Sequence, residues 1–183
     1  MCKETGTYPV KIKGIGNYSG DTTVKYTVNA QQSYKATAAA KTYNAKNQTT
    51  KVTVKYGNTV LKRGTDYKIT GVTKAKNAGK YKITVKGINN YKGTKTIYYT
   101  INKAAQKSVK VKVNASKKKI TVSGVKAKAK VTYKSANKKV KVKNGKITVG
   151  KGVKKGTKVR ITVKVAATKN YKAYSKSIIY KVK

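Results

Sequence analysis

Histidine, phenylalanine and tryptophan are absent from the 183-residue sequence, and proline, cysteine and methionine occur once each. Acidic residues are scarce as well, since Glu4, Asp21 and Asp66 stand against 46 lysines and arginines. Without histidine, and with one cysteine and three isolated carboxylates, one chain cannot assemble a catalytic triad, a carboxylate pair or a zinc cluster. We therefore expect no enzyme activity, no cofactor and no metal site.

Long hydrophobic runs are also missing. None approaches the roughly 18 to 20 apolar residues that span a membrane, and the first residues lack the apolar core of a signal peptide. The lone cysteine, Cys2, cannot close an intrachain disulfide, so it gives no indication of an oxidising compartment. We expect a chain without a transmembrane segment.

Strand-forming residues are abundant. Tyrosine occurs 15 times, and valine, isoleucine and threonine are frequent. Polar and apolar residues alternate through residues 80–86, with the period of two expected of a half-buried strand. No stretch shows a helical period, so the sequence predicts an all-β fold.

The sequence repeats internally. Residues 6–29 align without a gap on residues 79–102, and 12 of the 24 positions are identical. A looser third copy lies in residues 160–182 and carries two extra residues before its Asn-Tyr pair. Each copy has two alternating segments around a turn rich in asparagine and glycine, which predicts a β-hairpin.

The repeat length indicates the domain organisation. About 73 residues is too long for a solenoid unit and suits a small sandwich of about seven short strands. We therefore predict tandem immunoglobulin-like β-sandwiches at residues 30–103 and 104–183. Residues 1–29 are predicted to be a partial module, the closing hairpin of a preceding repeat in a longer array. Because an isolated hairpin is marginal in water, we expect it to pair with something, including a second copy of the chain.

The last unit resembles the group 2 module of the bacterial immunoglobulin-like domains found in Gram-positive surface proteins, through residues 131–140, 144–150 and 156–163. The middle unit is similar to a companion module of such arrays, through residues 52–57, 62–67 and 85–93. The resemblance implies a secreted or wall-attached protein in which these modules serve as stalks, adhesive arms or spacers. It implies no catalytic residues.

Positive charge is the dominant chemical feature. The formal net charge is +43, and Arg63 and Arg160 are the only arginines. A compact fold of this mass exposes roughly 9,000 Å², or about 200 Å² per net charge. Strand alternation is expected to send the lysines to the outer faces of the sheets. The bland interpretation is a solvated surface that resists aggregation, but solubility of a small domain requires a net charge of only about 2 to 8.

The candidate polyanion-binding residues are surface lysines of the last unit: Lys110, Lys112, Lys141, Lys143, Lys146, Lys151, Lys154 and Lys155. Lysine is a mobile point charge without the planar fork of arginine, so base-specific readout is not expected. The expected partners are teichoic acids and acidic glycans, with nonspecific, salt-dependent nucleic-acid binding in vitro.

Two functional hypotheses follow. The leading one is a non-enzymatic cell-surface or wall-associated spacer that adheres electrostatically to anionic polymers. The alternative is a naturally supercharged polycation that binds nucleic acid nonspecifically and adheres to or enters cells. A carbohydrate-binding module is a third possibility, and its affinity for a neutral glycan would survive high salt.

Three smaller features carry alternatives. Tyr18, Tyr91 and Tyr171 follow asparagine in the three repeat copies and either pack across the hairpin end or offer a stacking surface. The Gly150 to Gly156 segment is either a flexible turn or a set of backbone donors for an anion. Asp66 either stabilises a turn or assists an intramolecular Lys-Asn isopeptide bond.

Overall fold

The structure, a computed structural model, describes residues 5–30 and 33–183. Within these ranges it has eighteen β-strands, one three-residue 3-10 turn and no α-helix, so the all-β prediction is confirmed. The strands are β1 (Gly6–Lys13), β2 (Asp21–Val28), β3 (Lys35–Ala38), β4 (Lys41–Thr42), β5 (Gln48–Thr49), β6 (Val52–Tyr56), β7 (Thr59–Val60), β8 (Tyr67–Gly71), β9 (Lys74–Ala75), β10 (Gly79–Gly87), β11 (Thr94–Asn102), β12 (Lys110–Asn114), β13 (Lys119–Ser123), β14 (Val131–Ser135), β15 (Val140–Lys143), β16 (Lys146–Val149), β17 (Lys158–Val165) and β18 (Tyr174–Lys181).

The chain divides into two compact units. Unit 1 comprises Met1–Lys41, Asn47–Ala75 and Lys80–Thr100, and unit 2 comprises Thr42–Lys46, Lys76–Gly79 and Ile101–Lys183. Three short segments of the predicted middle module, residues 42–46, 76–79 and 101–103, thus belong to unit 2. The three modules proposed from the repeat length remain predictions about the sequence.

β-Hairpins form at all three repeat copies, as the alternation predicts. Hairpin 1 is β1–β2, hairpin 2 is β10–β11 and hairpin 3 is β17–β18. Hairpin 1 pairs Tyr8 with Tyr26, and hairpin 3 pairs Ile161 with Ile178. The tyrosine rings of the first pair lie 5.6 Å apart between centroids. Each hairpin therefore carries one apolar face built from cross-strand pairs.

The same backbone turn closes hairpins 1 and 2. Gly14 N–H donates to Gly20 O at 2.9 Å, and Gly87 N–H donates to Gly93 O at 3.0 Å. Gly20 and Gly93 have φ angles of 99° and 91°, which favour glycine. A Cβ on Gly87 would lie 2.9 Å from the carbonyl carbon of Tyr91. These demands explain why the glycines recur in both copies.

Tyrosine takes the place of phenylalanine in the core of unit 1. Tyr34 and Tyr99 are 1% and 0% exposed. The single O–H of Tyr34 lies between two backbone acceptors, Val85 O at 3.0 Å and Gly93 O at 2.8 Å, which share it, and the Tyr99 hydroxyl donates to Gln48 O at 3.1 Å. Burial raises the pKa of both hydroxyls, because the ionised form would lose its hydration.

Unit 2 has one hydrophobic core to which two sheets contribute. The sheets have strand orders β12-β13-β16-β15 and β14-β17-β18. Their shared cluster includes Val111, Ile120, Val140, Ile147, Ile161, Val163 and Tyr180. Fully burying each aliphatic side chain contributes about 1.5–3 kcal/mol. Residues 104–183 contain seven strands, the number that the repeat length predicts.

Candidate anion-binding surface

Five of the eight predicted lysines share one face of the sheet β12-β13-β16-β15. They are Lys110, Lys112, Lys141, Lys143 and Lys146, and all are exposed. Along the strands they alternate with the buried side chains of Val111, Val140 and Ile147. Because successive strand residues point to opposite sides, burying the valines and isoleucine fixes the lysines outward.

The strand register brings a sixth lysine into this face. Lys146 on β16 is the cross-strand partner of both Lys143 on β15 and Lys119 on β13. The Cβ atoms of directly opposed residues are about 4.5–5.5 Å apart, so three like charges form a row across three strands. The sequence contains no acid after Asp66, so no carboxylate of unit 2 balances them. We call Lys110, Lys112, Lys119, Lys141, Lys143 and Lys146 the lysine face.

Two shallow clefts share residues with the lysine face. One, of ≈ 290 Å³, is lined by Lys117, Lys118, Lys119, Asn144 and Lys146. The other, of ≈ 530 Å³, includes Lys134, Lys138, Lys141 and Lys143 among its lining residues. The sequence-based choice of residues missed residues 117–119. Their run of three consecutive lysines was the available signal.

The remaining three predicted lysines lie apart from the lysine face, in the turn between β16 and β17. Lys151, Lys154 and Lys155 are exposed there. The N–H groups of Gly150 and Gly156 donate to Lys139 O at 2.7 Å and to Val182 O at 2.8 Å. The N–H groups of these two glycines are therefore bonded within the fold, and the anion hypothesis for the segment stays a prediction about residues 151–155. The segment is a turn whose terminal N–H groups bond the fold.

The three hairpin tyrosines differ in their surroundings. Tyr91 is half-buried with its ring 5.8 Å from that of Tyr56, and Tyr171 is half-buried with its ring edge-on to Tyr43 at 5.3 Å. Tyr18 is 81% exposed. The packing interpretation thus describes two of the three tyrosines, and Tyr18 stands alone at the end of hairpin 1.

Asp66 has the turn-stabilising contacts expected of an acid in this loop. Its Oδ2 accepts the N–H of Lys62 at 2.7 Å, and its own N–H donates to Lys62 O at 2.8 Å. The Asp66 carboxylate also helps to raise the pKa of Tyr91, behind the larger effect of burial. These two hydrogen bonds are the kind by which an aspartate stabilises a turn, so the local backbone explains why an acid stands at this position.

Almost none of the positive charge is neutralised. Among the described residues the single ion pair joins Lys11 to Asp21, at 3.7 Å. The accessible surface is 13,242 Å², which with a net charge of +43 gives about 310 Å² per charge. The expected 200 Å² was too small, because the scaling assumes one compact body and this chain forms two units.

No protein-family model matches the chain, and a search of curated proteins finds no match. Within residues 5–30 and 33–183, no group of three or more histidine, cysteine, aspartate or glutamate side chains is placed to hold a metal ion. The same residues include no helix long and apolar enough to cross a membrane.

Proposed function

We propose that this protein is a non-enzymatic spacer and electrostatic adhesion module of a bacterial cell surface or wall, which binds anionic polymers such as teichoic acids and acidic glycans. The lysine face carries the proposal, because six ammonium groups share one sheet surface without a carboxylate in the unit. The sheet holds these charges at fixed spacing, so a polymer can make several contacts without the entropic cost of ordering the protein backbone.

We further propose that the units are immunoglobulin-like sandwiches of the bacterial surface type. Two observations support this assignment. The two sheets of unit 2 share one core, and seven strands occupy residues 104–183. The surface location rests on the resemblance of residues 131–163 to the group 2 module.

Charge alone makes some polyanion binding unavoidable, so the test must separate the lysine face from net charge. Lys119, Lys143 and Lys146 are replaced together by glutamine in one variant. The matched control replaces Lys158, Lys164 and Lys181, which are exposed on the other sheet of unit 2. Both variants lose three charges.

Binding to wall teichoic acid, heparin and duplex DNA is titrated at about 50 and 200 mM salt. Six phosphate contacts predict a loss of roughly 10³-fold in affinity for DNA over this range. We expect the face variant to bind more weakly than the control and to show a shallower salt dependence. Equal losses in the two variants would overturn the assignment to this face.

The choice of polymer separates the proposal from its alternative. A consistent preference for teichoic acid or acidic glycan over DNA at matched charge supports the adhesion module. A preference for nucleic acid supports a polycationic carrier. Binding to a neutral glycan that persists at high salt favours a carbohydrate-binding module.

A further inference from the structure

Hairpin 1 exposes the apolar face that hairpin 2 buries. Val10 and Ile12 on β1 are 41% and 49% exposed, whereas their counterparts 73 residues later, Ile83 and Val85, are 0% exposed. On β2, Val24 is 45% exposed. Among the residues that the structure describes, six of the ten exposed large hydrophobic side chains lie in hairpin 1 or its turn, so the exposure is concentrated there.

Residues that precede hairpin 2 in the sequence form hydrogen bonds to it, through one tyrosine hydroxyl and one backbone carbonyl oxygen. Tyr34 reaches hairpin 2 with a hydroxyl that donates to Val85 O at 3.0 Å and to Gly93 O at 2.8 Å. The backbone carbonyl oxygen of Gln48 accepts a hydrogen bond from the hydroxyl of Tyr99 at 3.1 Å. The chain therefore shows what accompanies a hairpin of this type: residues 33–78, with a tyrosine near their start. Their strands β4 and β8 extend the sheet of hairpin 2 itself, and their remaining strands form the sheets β3-β6-β7 and β5-β9.

Hairpin 1 retains the acceptors for such a tyrosine. The positions equivalent to Val85 and Gly93 are Ile12 and Gly20, and a shallow notch of ≈ 320 Å³ is lined by both of them together with Gly14. Gly20 O accepts Gly14 N–H at 2.9 Å, as Gly93 O accepts the N–H of its own turn. A carbonyl oxygen has two lone pairs, so Gly20 O, which lines the notch, keeps a second acceptor position.

Hairpin 1 is also the least charged part of the chain. Residues 1–29 hold four of the 46 cations and two of the three acids, so their net charge is +2. The remaining 154 residues carry +41. Another cationic polypeptide would therefore meet less repulsion from residues 1–29 than from the rest of the chain.

We propose that hairpin 1 is a docking surface for a further β-segment of the same repeat, equivalent to residues 33–78, whose tyrosine hydroxyl binds Ile12 O and Gly20 O in the notch. A second copy of this chain is a poorer occupant. Its Tyr34 already bonds its own hairpin 2, and among the described residues its exposed large hydrophobics outside hairpin 1 are Val60, Val72, Tyr98 and Ile179. It could therefore cover the face only with its own hairpin 1, which leaves the notch without a tyrosine equivalent to Tyr34.

The test extends the protein. A second copy of residues 30–78 is joined directly to Gly6 of the chain, which reproduces the native connection between Ala78 and Gly79. The tether keeps the added layer at millimolar effective concentration. Sodium chloride at about 1 M reduces the Debye length to about 3 Å and removes most of the repulsion.

Amide hydrogen exchange of β1 and β2 is the readout. We expect the added layer to slow exchange in hairpin 1 toward the rates of β10 and β11. In the added copy, the tyrosine equivalent to Tyr34 is then replaced by phenylalanine. Exchange at the notch should become about fivefold faster, because the loss of one ordinary hydrogen bond changes the opening equilibrium by about that factor. Val10→Lys should abolish the protection, whereas Val60→Lys, a control with an exposed side chain outside hairpin 1, should not.

Three results would overturn the proposal. The first is unchanged exchange of β1 and β2 in the extended chain. The second is equal protection with a scrambled copy of residues 30–78. The third is a dimer of the original chain, detected by sedimentation at 1 M salt and dissociated by Val10→Lys, which would show that a second copy covers the face.

Discussion

The peptide N–H of Ala78 donates a hydrogen bond of 2.8 Å to Oδ1 of Asn170, at the tip of hairpin 3. In unit 1 the N–H of Thr5 makes the equivalent bond to Oδ1 of Asn90, at the tip of hairpin 2, over 2.6 Å. Thr5 and Ala78 each precede the first strand of a hairpin and lie 73 positions apart. The hairpin-tip asparagine is therefore reused as an acceptor for the chain entering another hairpin.

Asn90→Ala is predicted to release the N–H of Thr5. The side-chain oxygen is its acceptor, and the loss of one partner leaves a partly buried donor unpaired. We expect exchange at Thr5 to accelerate by about tenfold. Asn90→Asp, which keeps the acceptor, should exchange like the original chain. Equal acceleration in both variants would refute the role of the oxygen.

Two buried tyrosines should respond in opposite directions to the loss of their hydroxyls. The Tyr34 hydroxyl donates its proton to the shared acceptors Val85 O and Gly93 O, whereas the hydroxyl of Tyr180 is buried without a hydrogen-bond partner in the described structure. Tyr34→Phe should lower the unfolding free energy of unit 1 by about 1–2 kcal/mol. Tyr180→Phe should leave that of unit 2 unchanged or raise it by up to about 1 kcal/mol. Urea titration measures both without adding salt, and a large loss for Tyr180→Phe would contradict the assignment.

Lys146→Gln is predicted to stabilise the protein while weakening polyanion binding. Lys146 lies opposite Lys119 and Lys143, and opposed like charges destabilise a sheet. The expected gain is about 0.2–1 kcal/mol at low salt. Lys164→Gln is the matched control, because Lys164 lies opposite Thr132 and Ser175. The same gain in both variants would assign the effect to net charge.

Salt should raise the thermal stability of the whole chain. Unbalanced charges repel one another, and the Debye length falls from about 30 Å at 0.01 M to about 8 Å at 0.15 M. We expect Tm in sodium chloride to rise by several degrees over this range. Heparin at low salt should raise Tm further, because it binds the folded surface. A Tm independent of sodium chloride would show that self-repulsion is unimportant.

The contribution of Tyr34 to stability should decline in alkali. Burial raises the pKa of the Tyr34 hydroxyl above that of an exposed tyrosine, about 10, so the unfolded chain loses this proton at a lower pH than the folded chain. The stabilisation is complete below pH 10 and is lost as pH rises through the folded-state pKa. The difference in unfolding free energy between the original chain and Tyr34→Phe should shrink above pH 10. A constant difference up to pH 11.5 would contradict this.

The hairpins were predictable from the sequence because their signals are local. Alternation and the Asn-Gly turn are contained within about 24 residues, and glycine recurs where φ is positive. Strand β3 was missed, since its Lys-Ala-Thr-Ala sequence has little β-propensity and is ordered by pairing with β6. The two-residue strands β5 and β9 likewise depend on partners distant in sequence.

The candidate site was predictable only in part, for the same reason. Alternation sends Lys110, Lys112, Lys141 and Lys143 outward, and the sequence shows this directly. The row formed by Lys119 and Lys146 depends on the register between β13 and β16, which no local pattern specifies. Net charge, likewise, carries no information about which lysines share a sheet.

The lysines that alternate along the strands also make the chain dense in trypsin cleavage sites. A protease must draw its substrate out as an unpaired extended segment, so a site within a hydrogen-bonded ladder is cut only when that ladder opens. The order in which the strands are cleaved would then rank the sheets by their local opening free energies, because nearly every strand contains a cleavage site. In a protease-rich environment, this protein survives only if its sheets stay closed, because its sequence contains many cleavage sites.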